Sequence, residues 1–228
     1  MAEEEGVVSI LESLKLDNYR IGDLQAIAYD RRNPAFKPGF LSDLYFKFLH
    51  NRYNRRPGTG ILENMLCGFE DVSHDAVIQF WLRTPLVILG IWKGEEFTPC
   101  GLCFPALIIG AGQEERACYG GYGFLPEWWS SDEQEVLTIL GISALFVEMQ
   151  LKVLHGSRFE TNDLTAKYMQ RFGFRDVATL PAQMTRGGKL VSGVMSTLPR
   201  EVFEQVVERM VLEAYRAKKS AVSPQDQP

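Results

Sequence analysis

The sequence predicts an α/β fold built on a mixed, mostly antiparallel sheet with flanking helices, and three stretches carry that reading. From Pro85, three apolar runs follow one another: LVILGIW, FTPCGLCFPALIIG and RACYGGYGFL. The turn sequences KGEE and AGQEE separate them, as consecutive antiparallel strands require. The apolar run Leu151–Leu154 then leads through a short capped helix into a new extended run at Phe174. Last, RDVATLPAQMT and KLVSGVMSTL, joined by Arg186-Gly187-Gly188, read as a closing hairpin. The order from Pro85 onward is β-β-β-α-β-α-β-β.

Composition narrows the function classes. A hydrophobic content of 46% and a charged content of 23% fit a globular chain with a full core. A net charge of -5 argues against a general nucleic-acid binder. No apolar run reaches the roughly 18–20 residues that a membrane span needs. The N-terminus, MAEEEG, is acidic and polar, unlike a signal peptide. Cys67, Cys100, Cys103 and Cys118 therefore read as reduced thiols. Cys100 and Cys103, three apart on a strand, should point to opposite faces. With no second pair and no nearby His, no zinc site is expected.

Ahead of the sheet, residues 7–16 carry apolar residues at a spacing ambiguous between helix and strand. The stretch from Asn18 to Ile27 holds a turn at Gly22 and a helix start at Asp23. Ser42 can N-cap a helix running to about Tyr53, with Leu44, Tyr45, Phe48 and Leu49 on its apolar face. Lys47, His50, Arg52, Arg55 and Arg56 gather toward its end. Cations there favour the helix dipole; the sharper alternative is a basic patch for an acidic or nucleic-acid partner, whose mark would be salt-dependent binding. Arg56 to Gly60 is a loop, a short helix follows at about 61–68, and residues 72–83 stay ambiguous. A long apolar helix is expected over about 132–149. After the closing hairpin, residues 199–219 form one more helix, with Val202, Phe203, Val206, Val207 and Met210 on a broad stripe. That stripe packs on the chain's own N-terminal helices or serves a protein partner or self-association. Residues 220–228 are a polar tail.

The segment FETNDLTAKYMQRFGF, Phe159 to Phe174, is the most informative. Asn162 is a good N-cap, Leu164, Tyr168 and Phe172 fall on one helix face, and Gly173 supplies a left-handed C-cap. Asn162 followed eleven residues on by Gly173-Phe174, with the small Ala166 between, resembles the C-terminal half of the GNAT acetyltransferase superfamily. The resemblance implies a GNAT-like fold for residues 1–198, a helical insertion at about 31–83 and the extra helix 199–219. It makes Asn18–Ile27 the first strand and first helix, and the three runs after Pro85 the second to fourth strands. It also implies that the fourth strand, where Gly120, Gly121 and Gly123 mark a bulge or close backbone approach, bulges and splays from the fifth to admit the pantetheine arm of acyl-CoA.

The resemblance places an acyl-CoA phosphate loop just after the fourth strand, where small residues let backbone N–H groups close on a pyrophosphate at a helix N-terminus. Phe124, Pro126, Glu127 and Trp128 fit the approach to that loop. The cradle departs from the pattern. Trp129 stands at the Arg position, Ser130 and Ser131 follow, and Asp132 and Gln134 occupy the two glycine positions. Asp132 and Glu133 gain about 0.3–1 kcal/mol each from the helix dipole. A carboxylate about 4 Å from a phosphate costs about 4 kcal/mol at an effective dielectric near 20, which outweighs that gain. The family's acidic Tyr, seven residues after the Asn, is Met169 here. Tyr168 beside it should face the core.

Should acyl-CoA bind, Tyr122, Phe124, Ser130, Ser131 and Asn162 are the cofactor-binding residues implied, with Tyr168 and Glu115 as the candidate catalytic groups. Glu114 and Tyr119 are read as surface charge and strand packing. His50, His74 and His155 are scattered without triad or metal spacing, and His155 reads as a loop residue after the fifth strand. The expectation is a degenerate member, a non-catalytic structural or interaction protein with no cofactor, similar to virion-associated GNAT-like proteins of tailed phages. Its location would be cytoplasmic, or the virion if phage-encoded. The alternative is a divergent N-acetyltransferase moving an acetyl group from acetyl-CoA to an amine.

Overall fold

In the computed structural model, residues 9–50, 62, 65–66, 72–110, 116–186 and 189–221 are described. They form helix α1 (Ile10–Leu16), strands β1 (Arg20–Ile21) and β2 (Leu24–Ala28), and helices α2 (Phe40–Leu49) and α3 (His74–Arg83). Strands β3 (Val87–Lys93), β4 (Glu96–Ile109) and β5 (Arg116–Phe124) come next, then α4 (Asp132–Glu148) and β6 (Leu151–Phe159). Helix α5 (Asp163–Arg171), strands β7 (Arg175–Arg186) and β8 (Lys189–Pro199) and helix α6 (Arg200–Ala221) follow. The eight strands make one sheet in the order β1-β2-β3-β4-β5-β6-β8-β7. Every neighbouring pair is antiparallel except β5 with β6. No helix among the described residues is long and apolar enough to cross a membrane.

The sheet divides two apolar cores. On one face Leu137, Leu140 and Phe146 of α4 pack with Leu11, Phe172 and Phe203. On the other, Leu44 and Phe48 of α2 and Val77 and Trp81 of α3 pack over Ile88, Leu102 and Phe104. Strand β4 serves both, because successive side chains leave a strand on opposite faces. Cys103 enters the α4 core and Phe104 the α2–α3 core.

Several expectations need correction. Asp23 does not start a helix. Gly22, at φ 60°, turns the chain, and Leu24–Ala28 pairs along its length with β3. Ser42 does not cap α2; Gly39, at φ 82°, occupies that position, and the helix stops at Leu49. Cys100 and Cys103 do not point apart. Gly101 pairs with Leu89 and Pro99 with Gly90, so Cys100 is the extra residue of a β-bulge. The bulge resets the alternation and sends both thiols into the α4 core, with Cys118. Burial pushes the thiols of Cys100 and Cys118 up to about 12. Cys67, Arg52, Arg55, Arg56 and the loop 56–60 lie outside the described residues.

The two ambiguous stretches resolve as helices, α1 and α3. Nor is His74 isolated. Its Nε2 lies 2.9 Å from Ser42 Oγ and its Nδ1 2.8 Å from Asp75 Oδ1, so it fastens α2 to α3. The ring of Phe46 stacks between His50 and His74.

The flanks of the sheet are irregular. β1 is two residues long. β7, at the opposite edge, loses register with β8 between Asp176 and Ala178 and again between Leu180 and Met184, around Pro181 and the left-handed Ala182.

Candidate functional site

The site arises where the one parallel pair of the sheet comes apart. β5 and β6 pair from Arg116–Leu151 to Tyr119–His155 and no further. Beyond that point Gly120–Phe124 stays with β4, and Gly156–Phe159 stays with β8. The gap opens into a cavity of about 400 Å³. The extra residues lie on the neighbours rather than on β5: Ala106 of β4, opposite Tyr119 and Gly120, and Lys152 of β6. The glycines answer to this chain's own packing. A Cβ on Gly121 would run into the ring of Phe104, and one on Gly123 would lie 2.5 Å from Met65 Sδ.

One wall is α5, and its local chemistry is as the sequence suggests. The Asn162 side chain accepts the Thr165 N–H at 3.2 Å, and Gly173 closes the helix at φ 93°. The face predicted for it does not hold as drawn, since Phe172 is buried but Leu164 is 80% exposed at the cavity mouth. Met169 takes the core position. Tyr168, expected in the core, lines the cavity with its ring near that of Tyr122. Its hydroxyl is held by α4, sharing a hydrogen bond of 2.6 Å with Thr138 Oγ1 and reaching the Gln134 carbonyl at 3.3 Å. Burial raises the pKa of both tyrosines above the usual value.

The N-terminal end of α4 forms the second wall, and two N–H groups there are engaged by the chain's own side chains. The Ser130 N–H donates to Gln134 Oε1 at 2.7 Å, and the Gln134 N–H donates to Ser131 Oγ at 3.1 Å. This is a capping box displaced by one residue, with Gln134 reaching one position further back than usual. Asp132, Glu133 and Glu135 fill the first turn. Glu135 in turn holds Arg171 at 2.8 Å. The Trp129 indole N–H donates to the Phe124 carbonyl at 3.0 Å. A diphosphate arriving here meets the Ser130 and Gln134 N–H groups already bonded to side chains, and a first turn bearing three carboxylates.

Of the residues singled out from sequence, Tyr122, Phe124, Ser130, Asn162 and Tyr168 line this one cavity. Ser131 stands behind them as the cap of α4. Glu114 and Glu115 lie outside the described residues. Sequence reasoning misplaced His155, which sits on β6 rather than in a loop and lines the cavity. Its ring packs on Tyr119 at 5.0 Å. Its Nδ1 is buried and finds no hydrogen-bond partner among the described residues. Burial lowers its pKa below the usual His value, which keeps the imidazole neutral near pH 7. No local signal exposes such a residue, since its place depends on where β6 meets β5.

No protein-family model matches this sequence, and no curated protein matches it. Solved structures do match in shape. A spermidine N-acetyltransferase from Vibrio cholerae, in complex with CoA and spermine, superposes with a TM-score of 0.59 at 14% identity, covering 80% of this chain and 99% of that one. A GNAT-family acetyltransferase from Bacillus anthracis gives 0.55 at 10% identity, covering 80% and 98%. A probable acetyltransferase gives 0.55 at 15%, covering 79% and 95%.

The chain has the GNAT fold. In GNAT terms β5 and β6 are the splayed central strands, and α4 is the helix whose N-terminus would meet the diphosphate. At these identities the likeness is one of fold. The splay is kept here, while at the diphosphate end Gln134 holds the Ser130 N–H and Asp132, Glu133 and Glu135 occupy the first turn.

Proposed function

We propose that this GNAT-fold chain is a non-catalytic binding protein that works without acetyl-CoA. One observation carries the reading: Gln134 Oε1 sits on the Ser130 N–H at 2.7 Å, inside a turn bearing Asp132, Glu133 and Glu135. Those N–H groups are what a helix N-terminus offers a phosphate, and uncovering them means breaking the chain's own cap. The engagement of the Tyr168 hydroxyl by Thr138 supports the same reading. The phage-type resemblance adds a virion or assembly component as a setting for such a role. A protein partner on α6 would have to use what remains of its surface, because Phe203, Val206 and Val207 are buried in this chain's own core.

The second reading is an N-acetyltransferase acting on an amine with acetyl-CoA. The intact splay favours it, as do neighbours such as the spermidine N-acetyltransferase with CoA and spermine. Titration calorimetry with acetyl-CoA separates the two. The proposal expects no heat of binding up to low millimolar ligand with folded protein. Micromolar affinity overturns it and turns the work to a screen of acceptor amines.

A further inference from the structure

We infer that the cavity between β5 and β6 binds a small, uncharged, ring-bearing molecule that carries an oxygen acceptor. This rests on the non-catalytic reading and names the ligand class of the same site. Charge decides first. Among the described residues that line the cavity there is no Asp, Glu, Lys or Arg. Burial keeps His155 neutral near pH 7, and it keeps Cys103, Tyr122 and Tyr168 protonated. An ionised ligand would leave water here without meeting a counter-charge, and burying an unpaired ion costs far more than burying a neutral molecule.

Size and surface come next. A volume of about 400 Å³ lies toward the lower end of the range of pockets for small molecules, about 300–1,000 Å³. Ile142, Leu145 and Leu154 give an aliphatic part to the lining, and Tyr122, Tyr168 and Phe174 an aromatic one. The Tyr122 and Tyr168 rings lie 6.0 Å apart and are tilted by 42°. Aromatic rings gain from offset or edge-to-face contact with another ring beyond the area they bury, so a planar ring is favoured over a chain of equal size. The polar groups then set its one functional group. The Gln134 side-chain oxygen is taken by the Ser130 N–H, that of Asn162 by the Thr165 N–H, and the Tyr168 hydroxyl by Thr138. No hydrogen bond engages the Tyr122 hydroxyl among the described residues. A desolvated hydroxyl without a partner is costly. Being protonated, it can donate, and an oxygen on the ligand is the group that accepts. One placed polar group in an apolar pocket also fixes how the ligand lies.

The test uses ¹⁵N-labelled full-length protein at pH 7, with 2-naphthol as the probe. The expected result is saturable shifts of the Gly120, Tyr122, Gly156 and Tyr168 amides. The charged analogue 2-naphthoate should bind at least about tenfold more weakly, and the ringless 1-octanol about fivefold more weakly. Tyr122→Phe keeps the ring and removes the hydroxyl. It should weaken 2-naphthol about fivefold, leave naphthalene binding unchanged, and leave amides away from the cavity where they are in the parent chain. Absence of shifts at these amides, binding of 2-naphthoate or 1-octanol as tight as that of 2-naphthol, or an unaffected Tyr122→Phe variant each overturns the inference. In a parallel titration, acetyl-CoA shifting the same amides at micromolar concentration overturns the non-catalytic reading itself, and this inference with it. Failure of 2-naphthol alone leaves that reading standing.

Discussion

The Arg158 side chain is only 8% exposed, and the Asp176 carboxylate meets it at 2.7 Å. Ser196 Oγ donates to the other carboxylate oxygen at 2.6 Å, so the three residues bind β6, β8 and β7 together across the sheet. Removing one partner of a buried pair leaves a charge without compensation. Asp176→Ala should cost about 3 kcal/mol in a urea titration, near the low end for such losses because Asp176 itself is partly exposed. Ser196→Ala should cost about 1 kcal/mol. At this scale the sequence was readable wherever a residue acts on its immediate neighbours. Asn162 capping α5 and Gly173 ending it are cases where the partner lies a few residues away. His155 and Cys100 were not readable, because one depends on a parallel register and the other on a bulge against β3.

Helix α4 was legible as an element, since the run from Val136 to Val147 is largely apolar and Ser131 stands at its start. That carboxylates occupy its first turn was legible too. That Gln134 folds back onto Ser130 was not, because that hydrogen bond depends on Ser130 adopting φ 62°. If this turn alone bars the diphosphate, opening it should restore the interaction. The double change Asp132→Gly and Gln134→Gly frees the Ser130 N–H and removes one carboxylate. By calorimetry it should raise acetyl-CoA affinity at least about tenfold over the parent chain, given the size of one charge–phosphate repulsion. Each glycine should cost about 1 kcal/mol or less in helix stability. The misreading at Asp23 has a different origin. Five residues cannot separate a helical from a strand period, and pairing with β3 decides the matter.

Across the whole molecule the sheet was the most legible feature. From β3 onward, turn chemistry and apolar runs mark every strand, and the strand–helix order follows the GNAT pattern. What sequence could not supply was the partition into two cores, because it depends on which helices cross to which face. The cores share β4, with Cys103 on one side and Phe104 on the other, so neither is expected to melt alone. Methyl resonances of Ile88, in the α2–α3 core, and Leu140, in the α4 core, should disappear at the same urea midpoint. Separate midpoints would mean that α2 and α3 unfold as an independent unit.

The irregular flanks of the sheet bear on how the chain behaves in company. An edge strand offers unpaired backbone groups to any neighbouring molecule. At one flank β1 provides two residues, too few to seed an added strand. At the other, β7 is bent twice and carries Pro181, which has no N–H to donate. Molecules crowded together therefore find no long straight border along which to stack. The fold guards its rim against fibre-like growth.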